Sequence, residues 1–134
     1  MLIVTSFAAA ILAILLVVLT MLTVIARTRF KVTLSDNGEL ALIKFIRAHG
    51  NLTEFAPIFL ILLTLIEINH FLSPFWLWIT AIVFIIGRFS HAISLLFIEP
   101  KTLRLRVFAM ALTFISILNL SLVLIFKLIA NLFS

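Results

Sequence analysis

The chain has 134 residues, of which 65% are hydrophobic and 11% are charged. So little polar surface cannot coat a soluble globule, and the composition indicates a membrane protein. The absence of cysteine excludes disulfides, thiolate metal sites and a cysteine nucleophile, and the absence of tyrosine excludes a phenol as proton donor. The formal charge of +5 comes from basic residues spread over short connectors, a pattern typical of membrane orientation and not of nucleic-acid binding.

Four apolar stretches are long enough to cross a bilayer, which takes about 20 residues for a hydrocarbon core about 30 Å thick. We therefore predict an all-α membrane protein, a bundle of four transmembrane helices that forms one domain over residues 1–134. The predicted helices cover residues 1–26, 39–70, 75–97 and an apolar run over 107–126 that is entered through Arg104 and Arg106. Turn signals lie at 35–38, 73–74 and 99–101.

The basic residues also predict an orientation. Nine of the ten lie on the side of the first and third connectors, and the second connector has none. Because cytoplasmic connectors retain Lys and Arg, we expect the first and third connectors to be cytoplasmic and both termini to lie outside.

Helix two carries polar residues at membrane depth. Its uninterrupted apolar part, residues 55–66, is too short to cross a bilayer, so Asn51 and Glu54 are predicted to lie inside the membrane. At 100° per residue, Arg47, Asn51 and Glu54 share one face of the helix. This face is a candidate site.

Helix three carries Arg88 and His91 on one face. Counted from the outer ends of the helices, Arg88 is level with Glu54 and His91 is level with Asn51. We therefore predict a polar ladder inside the bundle, with a Glu54–Arg88 pair at its deep end. A charged group at mid-membrane costs at least ~2.5 kcal/mol, so these groups must face protein or a water-filled cleft.

The ladder has two interpretations. A buried ion pair can simply fix the helix register. However, Glu54 faces Arg47 and Arg88, with Arg104 or Arg106 at the rim, so basic groups exceed carboxylates. The excess indicates an anionic ligand. No pair of histidines or carboxylates has the spacing of a metal site, so no metal is predicted.

Residues 47–57, RAHGNLTEFAP, resemble the helix-two signature of the MAPEG family, the membrane-associated proteins of eicosanoid and glutathione metabolism. Residues 87–91, GRFSH, with Arg104 sixteen residues after Arg88, are similar to the third helix and the start of the fourth helix of that family. The likeness covers nearly all of the chain and is greatest to the small bacterial members. It implies a four-helix protomer, a homotrimer in a bacterial inner membrane, and glutathione bound between neighbouring subunits in a cleft open to the cytoplasm.

The resemblance also implies residue roles. Arg104 matches the catalytic arginine that stabilises the glutathione thiolate, and Arg106 is close enough to be the alternative. The residues expected to bind glutathione, from the resemblance and from the ladder, are Arg27, Arg47, Asn51, Glu54, Arg88, His91 and Arg106. The chain departs from glutathione-using relatives at Phe55 and Leu95, where these often have tyrosine.

Glutathione carries two carboxylates, one ammonium and a thiol, so several arginines and one glutamate match its charges. A nearby guanidinium would lower the pKa of the thiol, which is ~8.5 when unperturbed, toward neutrality. We expect an integral membrane glutathione transferase whose bound thiolate attacks a lipophilic electrophile, with peroxide reduction or isomerisation as other reactions of the same thiolate. The alternative is a non-catalytic lipid-binding or scaffold protein on the same fold. A four-helix proton-coupled exporter fits less well, because its chamber would be acidic.

Overall fold

The computed structural model describes residues 1–98 and 103–133. These residues form four long helices, α1 (Ile3–Phe30), α2 (Leu40–Ile68), α3 (Pro74–Ile93) and α4 (Arg104–Leu132), and α3 continues as a π-helical segment over Ser94–Ile98. Each of the four is long and apolar enough to cross a membrane, which confirms the predicted all-α architecture. The turn expected at 99–101 lies outside the described residues.

The first connector turns where the sequence predicts. Helix α1 ends because Lys31 adopts a left-handed conformation with φ 55°, and its N–H bonds the carbonyl oxygen of Arg27. Further on, Asp36 Oδ1 accepts a hydrogen bond from the Gly38 N–H at 2.9 Å. Gly38 has φ 77°, which side-chain-bearing residues rarely adopt, so a glycine is required there.

The core runs along all four helices. Its centre is a pair of stacked rings, Phe59 on α2 and Phe84 on α3, whose centroids lie 3.7 Å apart with an interplanar angle of 2°. Leu12 of α1 and Leu120 of α4 are buried in the same core. Since lipid tails are as apolar as leucine, helix association in a membrane depends on such packing and on hydrogen bonds between helices.

A buried carboxylate joins the start of α1 to the last turn of α2. Glu67, which is 8% exposed, accepts hydrogen bonds from the Val4 N–H at 2.9 Å, the Thr5 N–H at 2.8 Å and the Thr5 hydroxyl at 2.6 Å. The first turn of a helix leaves such N–H groups without an intrahelical partner, and Leu2 at the start of α1 provides no side-chain cap. Glu67 therefore caps α1 from a different helix.

Helices α3 and α4 approach each other closely at Gly87. A Cβ atom at this position would lie 3.0 Å from the Ala109 carbonyl oxygen and 3.2 Å from the Thr113 hydroxyl oxygen. Glycine favours this approach, since an added Cβ atom would require its neighbours on α4 to move by a few tenths of an ångström. The approach brings α4 next to the adjacent Arg88.

Candidate ligand-binding groove

An open groove of about 430 Å³ lies between α2, α3 and α4, in the half of the bundle nearer the α1–α2 connector. Its volume is within the range of about 300–1,000 Å³ that is typical of small-molecule sites. The polar or charged residues that line it are Arg47, Asn51, Glu54, His91 and Arg106, and the others are Ile46, Gly50, Leu95 and Met110.

The groove confirms that the polar face of α2 and His91 of α3 come together. Arg47 and Glu54 are exposed and Asn51 is half-buried, so the face is accessible and not sealed inside the bundle. Gly50 lies on the same wall, and a Cβ atom there would meet nothing within 4 Å. The missing side chain leaves that part of the groove open.

Arg88 lies behind the groove wall and is only 2% exposed. Its Nη1 donates a hydrogen bond to Asn51 Oδ1 at 2.5 Å, and its Nη2 donates to the Thr113 hydroxyl of α4. The guanidinium carbon lies 5.3 Å from the centre of the Phe55 ring and 5.6 Å from that of Phe84, distances typical of cation–π contacts. Arg88 thus joins α2, α3 and α4 at one point.

The predicted Glu54–Arg88 pair is wrong. The guanidinium bonds Asn51 and Thr113, and within 1–98 and 103–133 no ion pair joins it to Glu54, which stays exposed on the groove. Counting residues along the helix axes gives equal depth but not the direction of each side chain. Arg88 turns toward α4 because Gly87 brings that helix within reach.

Thr113 is the site residue that the sequence did not indicate. It is fully buried, and its hydroxyl both accepts from Arg88 and donates to the Ala109 carbonyl oxygen at 3.0 Å. The one available signal is an isolated threonine in the apolar run of helix four, and such threonines commonly bond only their own helix.

Besides Arg88, which lies behind the wall, two predicted site residues are not brought to the groove within this chain. Arg106 lines the groove, whereas Arg104, two residues earlier on α4, is not among the described lining residues. Arg27 is held elsewhere, since its Nη1 donates to the Ser35 carbonyl oxygen at 2.8 Å in the α1–α2 connector. Their predicted contacts with a ligand remain predictions.

The family model of the MAPEG family matches residues 5–126, a segment that includes every residue of the groove. The chain belongs to the MAPEG family. Members of this family act in glutathione and eicosanoid metabolism and generally use glutathione. Together with the four candidate spans, membership makes the chain a multi-pass integral membrane protein. The comparison with curated proteins finds no match.

Among the described residues of this MAPEG protein, no group of three or more His, Cys, Asp and Glu side chains could hold a metal ion.

Proposed function

We propose that the groove binds glutathione and that the protein is a membrane glutathione transferase. The supporting observation is the charge arrangement of the groove, where Arg47, Arg106 and Glu54 all face one open cavity. These three side chains sum to one positive charge. Glutathione, with two carboxylates and one ammonium, sums to one negative charge, so the ligand and the groove complement each other.

The length of the polar face also suits a tripeptide. Arg47 and Glu54 are seven residues apart on α2, which at ~1.5 Å per residue is about 10 Å along the axis. Three extended residues span about 10 Å as well. A ligand lying along α2 would place a carboxylate at Arg47 and its ammonium at Glu54.

Activation of the thiol would fall to an arginine at the start of α4. A guanidinium beside the sulfur lowers the pKa of the glutathione thiol and favours the thiolate. The thiolate sulfur then forms a bond to an electrophilic carbon of a lipophilic substrate, and the leaving group departs with the bonding pair. Arg104 matches the family position for this role, but Arg106 is the one of the two that lines the groove of the protomer.

The test compares R104A and R106A with the unchanged protein in detergent. We expect glutathione to raise the unfolding temperature of the unchanged protein, because a ligand that binds only the folded state stabilises it. Thiolate absorbance in the ultraviolet, measured during a titration with glutathione, then assigns the activating arginine. The proposed activation is wrong if both variants form the thiolate as readily as the unchanged protein.

We further propose that the protein is a homotrimer in a bacterial inner membrane. Arg47 and Glu54 are exposed on the single protomer, and charges at membrane depth must face protein or water. A neighbouring subunit that covers the groove would meet this need and would bring its own Arg27 toward the ligand. The basic connectors favour a cytoplasmic location for the open end of the groove.

A non-catalytic lipid-binding role is the second candidate, and the residues at two positions favour it. Phe55 contacts the Phe114 ring edge-on with centroids 5.8 Å apart, and Leu95 lines the groove, where glutathione-using relatives often have tyrosine. No phenol is available there to assist the chemistry. A folded protein that glutathione does not stabilise, but that retains lipid through purification, would favour this role.

A further inference from the structure

We propose that Thr113 of α4, acting through Arg88, positions Asn51 so that its amide NH₂ group faces the groove. Gly87 allows this arrangement, and the amide expected to contact glutathione is thereby turned to bind an oxyanion of the ligand, such as a carboxylate. The proposal rests on the proposed function for the identity of the ligand, but not for the orientation of the amide. Arg88 and Thr113 are positioning residues here, and Asn51 is the group that touches the ligand.

The orientation of Asn51 follows from the chemistry of its partner. An arginine side chain has only hydrogen-bond donors, so the atom of Asn51 that faces Arg88 must be the carbonyl oxygen Oδ1. An asparagine side chain has one acceptor end and one donor end. With the acceptor end turned back into the protein, the NH₂ end is left for the groove that Asn51 lines.

The position of Arg88 is in turn fixed from α4. The Thr113 hydroxyl donates its single proton to the Ala109 carbonyl oxygen at 3.0 Å, so toward Arg88 it can only accept. The result is a hydrogen-bond chain from Ala109 through Thr113 and Arg88 to Asn51, in which the direction of each bond is determined. Gly87 makes the chain possible, since a Cβ atom there would lie 3.2 Å from the Thr113 hydroxyl oxygen.

The charge behind Asn51 selects the class of ligand group. Among the residues that the structure describes, the hydrogen-bonding partners of the Arg88 guanidinium are all neutral, and so are the two aromatic rings near it. These partners are Asn51, Thr113 and the sulfur of Met110. Its positive charge therefore lies directly behind an amide that presents donors to the groove. In a membrane interior this charge is weakly screened, so the amide favours an oxyanion over a neutral carbonyl.

The substitution N51D tests the orientation with little change in shape. Aspartate keeps an oxygen for Arg88 and so retains the link to α3 and α4, but it presents an acceptor oxygen to the groove instead of a donor. We expect N51A to weaken glutathione binding about tenfold, the effect of losing one hydrogen bond. We expect N51D to bind at least about tenfold more weakly than N51A, because its carboxylate repels the ligand carboxylate. Equal or tighter binding by N51D would overturn the proposal.

A second measurement needs no ligand. The chain has five asparagines and no glutamine, so ¹⁵N labelling of side-chain amides gives five NH₂ signals by nuclear magnetic resonance in detergent. The Asn51 signal is the one missing from N51D. T113V lacks the acceptor for Arg88, so we expect it to shift the Asn51 signal and to weaken glutathione binding. T113S keeps the hydroxyl, so we expect it to show the Asn51 signal and the glutathione binding of the unchanged protein.

The two measurements separate the two proposals. If glutathione does not stabilise the unchanged protein, the proposed function fails, and the Asn51 signal in T113V still decides the positioning. An unmoved Asn51 signal in a folded T113V would overturn the positioning by Thr113, whatever the ligand. If T113V does not fold, the comparison of N51D with N51A decides, since neither of these variants changes Thr113.

Discussion

The buried Glu67 carboxylate gives a quantitative test of how the start of α1 and the last turn of α2 are held together. The change E67Q preserves size and one acceptor oxygen. In its better orientation this oxygen faces the two Thr5 donors and the NH₂ group faces the Val4 N–H, so one hydrogen bond to a charged group is lost and two become neutral. Hydrogen bonds to charged groups contribute about 1.5–3 kcal/mol and neutral ones about 0.5–1.5 kcal/mol, so these changes remove about 2–3 kcal/mol. Loss of the negative charge beside the start of α1 removes a further ~0.3–1 kcal/mol. At 8% exposure, Glu67 has little access to water that could replace these bonds.

We therefore expect E67Q to lower the free energy of unfolding by about 3 kcal/mol, measured by equilibrium unfolding in mixed micelles and followed by circular dichroism. T5V removes only the hydroxyl donor and should cost about 1.5 kcal/mol. E39Q changes an exposed carboxylate at the start of α2 and should stay within about 0.5 kcal/mol of the unchanged protein. The capping role is refuted if E67Q is no less stable than E39Q.

The same unfolding assay checks three further expectations. Gly50→Ala should raise the free energy of unfolding by up to about 1 kcal/mol, because alanine favours helices and its Cβ meets nothing within 4 Å. Gly87→Ala should lower the free energy of unfolding by about 1–3 kcal/mol, because its Cβ would lie 3.0 Å from the Ala109 carbonyl oxygen. Effects of the same sign at the two glycines would contradict the close approach of α3 and α4. Ser94→Ala removes a fully buried hydroxyl that has no hydrogen-bond partner within residues 1–98 and 103–133, so stability should not fall. A loss above about 1 kcal/mol would reveal an unrecognised partner. Phe59→Leu removes a stacked ring from the core and should cost about 2 kcal/mol, and an unchanged stability would show that the stack contributes nothing.

The helices were predictable because each crossing requires a long apolar run. Helix α2 was predicted over 39–70 and is observed over Leu40–Ile68. Helix α1 was predicted to end at residue 26 but continues to Phe30, because hydrophobicity marks the edge of the membrane and not the end of the helix. It ends where Lys31 turns left-handed. Nothing in the sequence predicted that α3 would continue as a π-helical segment.

The groove was predictable to the extent that helical periodicity determines it. Arg47, Asn51 and Glu54 lie three to four residues apart, so they had to share a face of α2. The direction of Arg88 depends instead on how closely α3 packs against α4, and a single glycine determines that distance. Pairing by depth alone therefore selected Glu54 instead of Asn51 as the partner of Arg88.

The charged groups of the bundle differ in their surroundings. Arg88 and Glu67 are buried and have hydrogen-bond partners on other helices, whereas Arg47 and Glu54 are exposed. Leaving two such charges toward lipid would cost at least about 5 kcal/mol, which is comparable to the whole stability of a small protein. A neighbouring subunit that covers the groove would relieve this cost.

In the proposed homotrimer, Arg27 of the neighbouring subunit contacts the bound glutathione, and this contact exists only when ligand and neighbour are both present. Binding of glutathione and assembly should therefore be coupled, and by linkage each should strengthen the other. We expect added glutathione to slow the dissociation of the detergent-solubilised oligomer, measured by exchange of subunits that carry different labels. E54Q, which should weaken the contact with the ligand ammonium, provides the matched control and should reduce the effect. If glutathione binds but subunit exchange proceeds at the same rate, then the groove opens to water alone and no neighbouring subunit covers it.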